Sequence, residues 1–261
     1  MLTKAADEAA FVHSRRAMHM YSDLAPWFHL LTHPSDYAEE ADFVVRVVDE
    51  VSNGRAHTLL ELGSGGGNNA SHLKKRFDCT LTDLSPEMLA LSKTLNPECE
   101  HLEGDMLTLR LGRTYDVVFV HDALSYLTTE PDLRAAIETA AAHVRPGGVV
   151  ILVPDATRES FAPGTDHGGR DDEDGRGLRY LEWTHGPESP DASTYLVDYA
   201  IAVCEPDSPL RIVHDQHILG LFDEATWRHL LAEAGLEPVS YTAHDAYPDE
   251  HAVFVALRPA G

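Results

Sequence analysis

The sequence predicts an α/β fold, a doubly wound sheet of seven strands with an antiparallel β-lid insertion, and three observations carry that prediction. Residues 58 to 62 are a mainly apolar run that ends in a turn holding Gly63, Gly65, Gly66 and Gly67, with helix-capping residue types directly after it. Between residues 58 and 153, short apolar runs alternate with stretches of helical periodicity, as strands and crossover helices do in a parallel sheet. Residues 178 to 185, 195 to 204 and 210 to 219 read instead as strands parted by the turns Gly186-Pro187 and Pro206-Asp207, which marks an antiparallel insertion.

Residues 1 to about 34 have Ala-rich helical character and then Tyr21, Trp27, Phe28, Leu30 and Leu31, a pattern open to a helix packed on the sheet or a lid over a ligand. From Ser35, the spacing of Tyr37, Ala41, Val44, Val45 and Val48 predicts a helix with acids in its first turn. The strand at 58 to 62 carries Glu61 just before the glycines, and the helix expected next opens at Asn68, Asn69 and Ser71 and ends in Lys74, Lys75 and Arg76. Strand, glycine turn and helix form a nucleotide-binding crevice, because the missing side chains admit a ligand to the backbone and the helix start offers free N–H groups. A dinucleotide fingerprint wants a small residue at the sixth place from Gly63, where Asn68 stands.

The second strand, 80 to 82, ends at Asp83, about 20 residues beyond Glu61, where an acid can accept both hydroxyls of a ribose. Ser85 and Pro86 open the next helix as N-cap and first helical residue, and Met88, Leu89 and Leu91 form its inner face, with Met88 also placed to cover an adenine. A third strand at 101 to 103 precedes Gly104-Asp105-Met106, and Asp105 could accept from an exocyclic amine. Residues 115 to 120 form a continuous apolar strand, as a central parallel strand does, and His121, Asp122, Ser125 and Tyr126 leave its carboxyl end. A helix over 133 to 144 stops at Arg145-Pro146-Gly147-Gly148, and a fifth strand covers 149 to 153. The acidic stretch over residues 164 to 177 is expected to be a solvated loop. Aligned as an EF-hand it places Arg170 and Leu181 where acids are required, so no metal is expected. A helix from 224 to 234, capped by Asp223 and ended by Gly235, and strands at 237 to 242 and 252 to 257 close the chain.

The balance of 20 Lys+Arg against 43 Asp+Glu gives a formal net charge of -23, which argues against nucleic acid or an anionic membrane as partner. Three isolated cysteines and no long apolar segment lead to the expectation of a cytoplasmic protein without a disulfide framework. With 43% hydrophobic residues the chain is long enough for a single domain with a real core. The expected parts are a helical cap (1 to 52), a ligand-binding core (58 to 153), a loop and lid (154 to 222) and a closing helix and hairpin (223 to 261).

The pattern Glu61-x-Gly63-x-Gly65-x-Gly67 resembles the first motif of class I S-adenosylmethionine-dependent methyltransferases. ELGSGGG, LTDLSPEML, EGDM, YDVVFVHDALSYL and HVRPGGVVIL resemble that family's successive motifs, in order, over about residues 58 to 153. The lid, with HDQHILGLF, is similar to small-molecule N-methyltransferases of the amino-sugar and glycine type. The resemblance implies a Rossmann-like sheet, S-adenosyl-L-methionine as cofactor, a small-molecule acceptor and transfer of a methyl group to its nitrogen or oxygen; a homodimer is compatible with it.

By matching motifs, Glu61, Gly63, Ser64, Gly65 and Gly67 would hold the methionine end and ribose side, and Asp83 with Leu84 the ribose. Ser85, Met88, Asp105 and Met106 would hold the adenine, and His121 would approach the methionine moiety. Tyr21 and Tyr37 resemble tyrosines that close over the donor in sugar-methylating relatives, although the LTHPSDY lead-in differs from the basic one of those proteins. For catalysis the candidates are His217, expected to project from the lid as general base, with His121 and Tyr126. Asp122, Trp183, Tyr195 and Tyr199 are the candidate acceptor-binding residues, and an aromatic or histidine at any of these places can equally be structural. A nicotinamide-dependent oxidoreductase, an O-methyltransferase and a non-catalytic cofactor-binding protein remain open from the residues alone.

Overall fold

The computed structural model describes residues 18 to 239 and 252 to 260. Strands β1 (Thr58–Leu62), β2 (Asp78–Asp83), β3 (Glu100–Glu103), β4 (Tyr115–His121) and β5 (Val144–Val153) pair in parallel in the order β5-β4-β1-β2-β3. Four further strands come between β5 and the end of the chain: β6 (Gly164–Gly168), β7 (Gly177–His185), β8 (Thr194–Cys204) and β9 (Arg211–Gly220). The last two, β10 (Glu237–Val239) and β11 (Phe254–Leu257), return to the first sheet, where β11 runs antiparallel to β5 and completes seven strands. The strand order reverses between β1 and β4, so the loops leaving those two strands splay apart and open a crevice at their carboxyl ends.

Alternation along the central strands divides the core in two. Leu60, Leu62, Val118, Val120, Val150 and Leu152 pack on one face beneath helices Glu130–His143 and Glu224–Glu233. Leu59, Val117, Phe119, Val149 and Ile151 pack on the other, beneath helices Ala38–Ser52 and Ala70–Leu73. The helices begin where capping chemistry allows: the side chains of Ser85, Thr129 and Asp223 accept from the backbone N–H groups of Met88, Asp132 and Thr226.

Several expectations are corrected. Of the N-terminal stretch, residues 1 to 17 lie outside the described residues; from residue 18 the chain forms 3₁₀ turns His19–Tyr21, Ala25–Trp27 and Pro34–Tyr37 around the short helix Phe28–Leu31, because Pro26 and Pro34 interrupt a continuous helix. The helix after the glycine turn is only Ala70–Leu73, and neither asparagine caps it. The Arg145-Pro146-Gly147-Gly148 turn is a bulge inside β5 rather than a break before it. Residues 240 to 242 of the expected sixth sheet strand lie outside the described residues.

The largest difference is in the acidic stretch, expected to be a loop. Its first part is β6, which adds a fourth strand to the lid in the order β6-β7-β8-β9. Its acids organise the rest: Asp172 accepts from the backbone N–H of Asp174 and Arg176 at 3.0 and 2.9 Å, and Asp171 pairs with Arg179 at 2.8 Å. The inner face of the lid packs Leu178, Ile201 and Val203 on Met20, Leu24 and Trp27, while Tyr195, Val197 and Leu219 lie nearer Tyr126 and Phe161. The outer face exposes Leu181, Trp183, Ile212 and Ile218.

Candidate active site

Two cavities meet at the carboxyl end of β4. The first, ≈ 340 Å³, lies between the glycine turn and the end of β2 and is lined by Glu61, Gly63, Ser64, Gly65, Asp83, Leu84, Ser85, Asp105, Met106 and His121, all expected there, with Tyr21 and Tyr37 from the N-terminal turns. Gly63, Gly65 and Gly67 have φ of +71°, +52° and +78°, a region that excludes most side chains. A Cβ on Gly63 would also collide with Ala123 from the other lip of the crevice.

Two expected cofactor residues stand elsewhere. Gly67 does not line the cavity; a Cβ there would strike Ser92 and Asn96, so this glycine lets the turn seat on the helix Pro86–Leu95. Met88 is fully buried and its methyl group lies beneath Gly65, supporting the turn instead of covering a ligand. Sequence reasoning missed Met18 and Phe28 as lining residues, because nothing local in the N-terminal turns shows that they fold back over the crevice, and it missed Asn68 and Asn69, which were read as helix-opening residues.

The acids are held in distinct ways. Asp83 accepts from the backbone N–H groups of Gly65 and Ser85, both at 2.8 Å, which ties the first two strand ends together while burial raises its pKa above the ordinary value. Glu61 is 3% exposed and one of its carboxylate oxygens has no hydrogen-bond partner among the described residues. Burial pushes its pKa up to about 8, against the opposing pull of His121.

A ligand cation beside Glu61 would restore the carboxylate. An orphaned acid, a ribose-ready aspartate and a cradle without Cβ atoms fit S-adenosyl-L-methionine, whose ammonium, diol and adenine supply the matching groups.

That acid gives a pH prediction. Because Glu61 is raised in the folded protein, its contribution to stability is greatest below the ordinary carboxylate pKa and is lost as pH rises toward about 8. Binding of the cofactor at pH 7 is expected to release a proton, and affinity to rise between pH 6 and 8. Calorimetry in two buffers of different ionisation enthalpy checks this; proton release that persists in Glu61→Gln would assign it to another group.

His121 forms ion pairs through both ring nitrogens, Nε2 with Glu40 at 3.0 Å and Nδ1 with Asp122 at 3.1 Å. Burial works against its charge, but Asp122 and Glu40 prevail and hold its pKa well above the ordinary histidine value. Asp122 itself sits at φ 46° and ψ -43°, a strained conformation for a residue with a side chain, just where the two cavities join.

The second cavity, ≈ 620 Å³, lies under the lid and is lined by Asp122, Tyr195 and Tyr199, as expected, and by Glu40, Asp155 and Glu182, which were not. Asp155 follows β5 at the same strand-end level as Asp122, and that position is the one signal by which the sequence could have disclosed it. Burial, then the neighbouring Asp122, raise the Asp155 pKa well above the ordinary carboxylate value. Trp183 does not reach the cavity. Antiparallel pairing puts Tyr180, Glu182 and Thr184 inward, so Trp183 lies on the outer face, 42% exposed.

His217 is on the inner face of β9 but does not project into either cavity. It is 1% exposed, covered by Tyr126 and Tyr199. Its Nδ1 is 2.8 Å from the Tyr126 hydroxyl, which is 2.7 Å from the Tyr21 hydroxyl, and its Nε2 lies 3.2 Å from Asp215. Asp215 also accepts from the backbone N–H of Met20 at 2.8 Å. Burial raises the Tyr21 and Tyr126 pKa values, so both phenols stay protonated at neutral pH and act as hydrogen-bonding groups. The chain Asp215, His217, Tyr126, Tyr21 thus fixes a hydroxyl at the mouth of the first cavity, with His217 as its support.

Comparison with known proteins shows the family. Residues 59 to 148 match a family model described as a methyltransferase domain. The chain is 31% identical over 224 residues to dTDP-3-amino-3,4,6-trideoxy-alpha-D-glucopyranose N,N-dimethyltransferase of Streptomyces venezuelae, covering 85% of this chain and 91% of that one. The structure superposes on a sugar N-methyltransferase from Streptoalloteichus sp with a TM-score of 0.76 and 27% identity, covering 85% of this chain and 88% of the other. It also superposes on an S-adenosylmethionine-bound amino pentose methyltransferase from Micromonospora echinaspora, with a TM-score of 0.71, 26% identity and coverage of 85% and 91%.

Proposed function

The chain belongs to the S-adenosylmethionine-dependent methyltransferases that act on small molecules, and from that premise we propose that its acceptor atom is the amine nitrogen of an aminated sugar-like metabolite. One observation carries the choice of nitrogen: the acceptor cavity is walled by carboxylates where it meets the cofactor cavity, at His121 and Asp122. Carboxylates stabilise the positive charge that builds on an attacking amine and oppose the negative charge that builds on an attacking oxygen.

The bound cofactor supplies a methyl group already activated on a sulfonium. The protein then has to align the nitrogen with it, exclude water and receive a proton, and alignment alone can supply several kcal/mol, of order 7 or more in well-oriented systems. The lid and the N-terminal turns close the two cavities from above. Tyr21, held by Tyr126, His217 and Asp215, orients the ligands across the junction. Asp122 is the proton acceptor, because it stands at the junction where the two cavities meet.

The test is release of S-adenosylhomocysteine with paired acceptors that differ only in amine or hydroxyl, such as glucosamine and glucose. Turnover is expected with the amine alone. Comparable kcat/KM for the hydroxylated member would replace the nitrogen reading with an oxygen one.

A further inference from the structure

The charge of the cavity under the lid defines its acceptor more narrowly. Glu40, Asp122, Asp155, Asp166 and Glu182 all line it, and among the described lining residues only His121 is basic. Glu40 and Asp122 share that one imidazole. At the other end, Asp166 on β6 and Glu182 on β7 stand directly opposite each other in the antiparallel register, a like-charge placement that disfavours the pairing unless a cation lies between or over them. Their own partners are neutral: Asp166 accepts from the Tyr180 hydroxyl at 3.1 Å and Glu182 from the Thr184 hydroxyl at 2.9 Å. Tyr195 lines the same space and is only 6% exposed as a residue, and its hydroxyl makes no hydrogen bond to another described residue, which leaves it free to meet a ligand group.

We propose that the acceptor carries at least two amino groups and no phosphate, an oligoamine of the amino-sugar or aminocyclitol kind. One amine lies at Asp122 and Asp155 for methylation, and another lies across Asp166 and Glu182. This rests on the methyl-transfer reading above and departs from the dTDP-linked acceptor named for the Streptomyces venezuelae relative, because a diphosphate placed in this cavity would meet its carboxylates. The cavity volume, ≈ 620 Å³, is ample for two linked six-membered rings. The nitrogen at Asp122 attacks as the neutral amine: its lone pair forms the new N–C bond, the C–S bond of the sulfonium breaks with its electrons going to sulfur, and the proton passes to Asp122.

The experiment titrates neamine, 2-deoxystreptamine and a dTDP-3-amino sugar into the full chain saturated with S-adenosylhomocysteine, followed by calorimetry at low and high salt. Neamine is expected to bind at least about tenfold tighter than the dTDP-sugar and to weaken as salt rises. Glu182→Gln is expected to cost neamine about tenfold, as loss of one charge-assisted hydrogen bond does, with S-adenosylhomocysteine affinity unchanged. Equal or tighter binding of the dTDP-sugar, no neamine binding, or neamine affinity unaffected by both Glu182→Gln and Asp166→Asn would each overturn the proposal. Methylation of bound neamine at a hydroxyl would overturn the nitrogen reading while supporting the oligoamine assignment.

Discussion

Asp83→Ala is expected to weaken S-adenosylmethionine binding about 100-fold, corresponding to the loss of about 3 kcal/mol from two hydrogen bonds to a charged acceptor. The carboxylate receives the Gly65 and Ser85 N–H groups on opposite oxygens, each at 2.8 Å, and the residue lines the cavity. Both the turn geometry and a ribose contact therefore depend on it, and the two effects need separating. A cofactor product lacking the 2′-hydroxyl does so. Wild-type protein should bind 2′-deoxy-S-adenosylhomocysteine at least about tenfold more weakly than the full product, and Asp83→Ala should bind the two alike. If the variant still discriminates between them, Asp83 serves the turn alone and the ribose is held by another group.

Asp122→Asn is expected to lower kcat by about 100-fold or more, in the range lost with a positioned general base, while cofactor affinity changes little. Asparagine keeps the shape and tolerates the positive φ of 46°, so the backbone is undisturbed and the charge alone is removed. Asp122→Gly should relieve the strained backbone, leaving stability equal or higher, yet be as inactive as the asparagine variant. An active glycine variant would show that the strain, not the carboxylate, matters.

The same change alters pH dependence with a defined sign. His121 is raised in the folded state by Asp122 and Glu40, so the stability it contributes is full below the ordinary histidine pKa and is lost as pH rises through its higher folded value. Without the Asp122 charge, that loss should move to lower pH, visible as a shifted melting-temperature profile.

Much of the first cavity's lining was legible because its signals are short in sequence. An apolar strand ending in glycines, an acid closing β2 and a Ser-Pro helix start each specify their geometry within a few residues, and the crevice follows from placing those ends side by side. Glu61, Asp83 and Asp105 could thus be placed at the first cavity without coordinates. Gly67 and Met88 were assigned to the ligand because spacing alone cannot tell a residue that faces the turn's cavity from one that packs against its underside.

The lid shows the opposite case. Its strands were readable, but which alternate face looks inward depends on register with neighbours far away in sequence, and Trp183 was placed on the wrong side for that reason. The extra strand β6 was hidden in a run of Asp and Gly whose local preference is for turns; pairing with β7 overrides that preference.

The sequence by itself determined the doubly wound sheet, the glycine turn with its partnering acids, and the presence of a second antiparallel unit, since periodicity and turn chemistry are properties of neighbouring residues. Only the tertiary structure decided what stands between the two cavities. Tyr21, Tyr126, His217 and Asp215 come from three separate parts of the chain, and Glu40, Asp155 and Glu182 from three more. No local pattern links them, because what brings them together is burial of the lid's inner face against the N-terminal turns and the strand ends, a long-range event whose partners are fixed by shape and register.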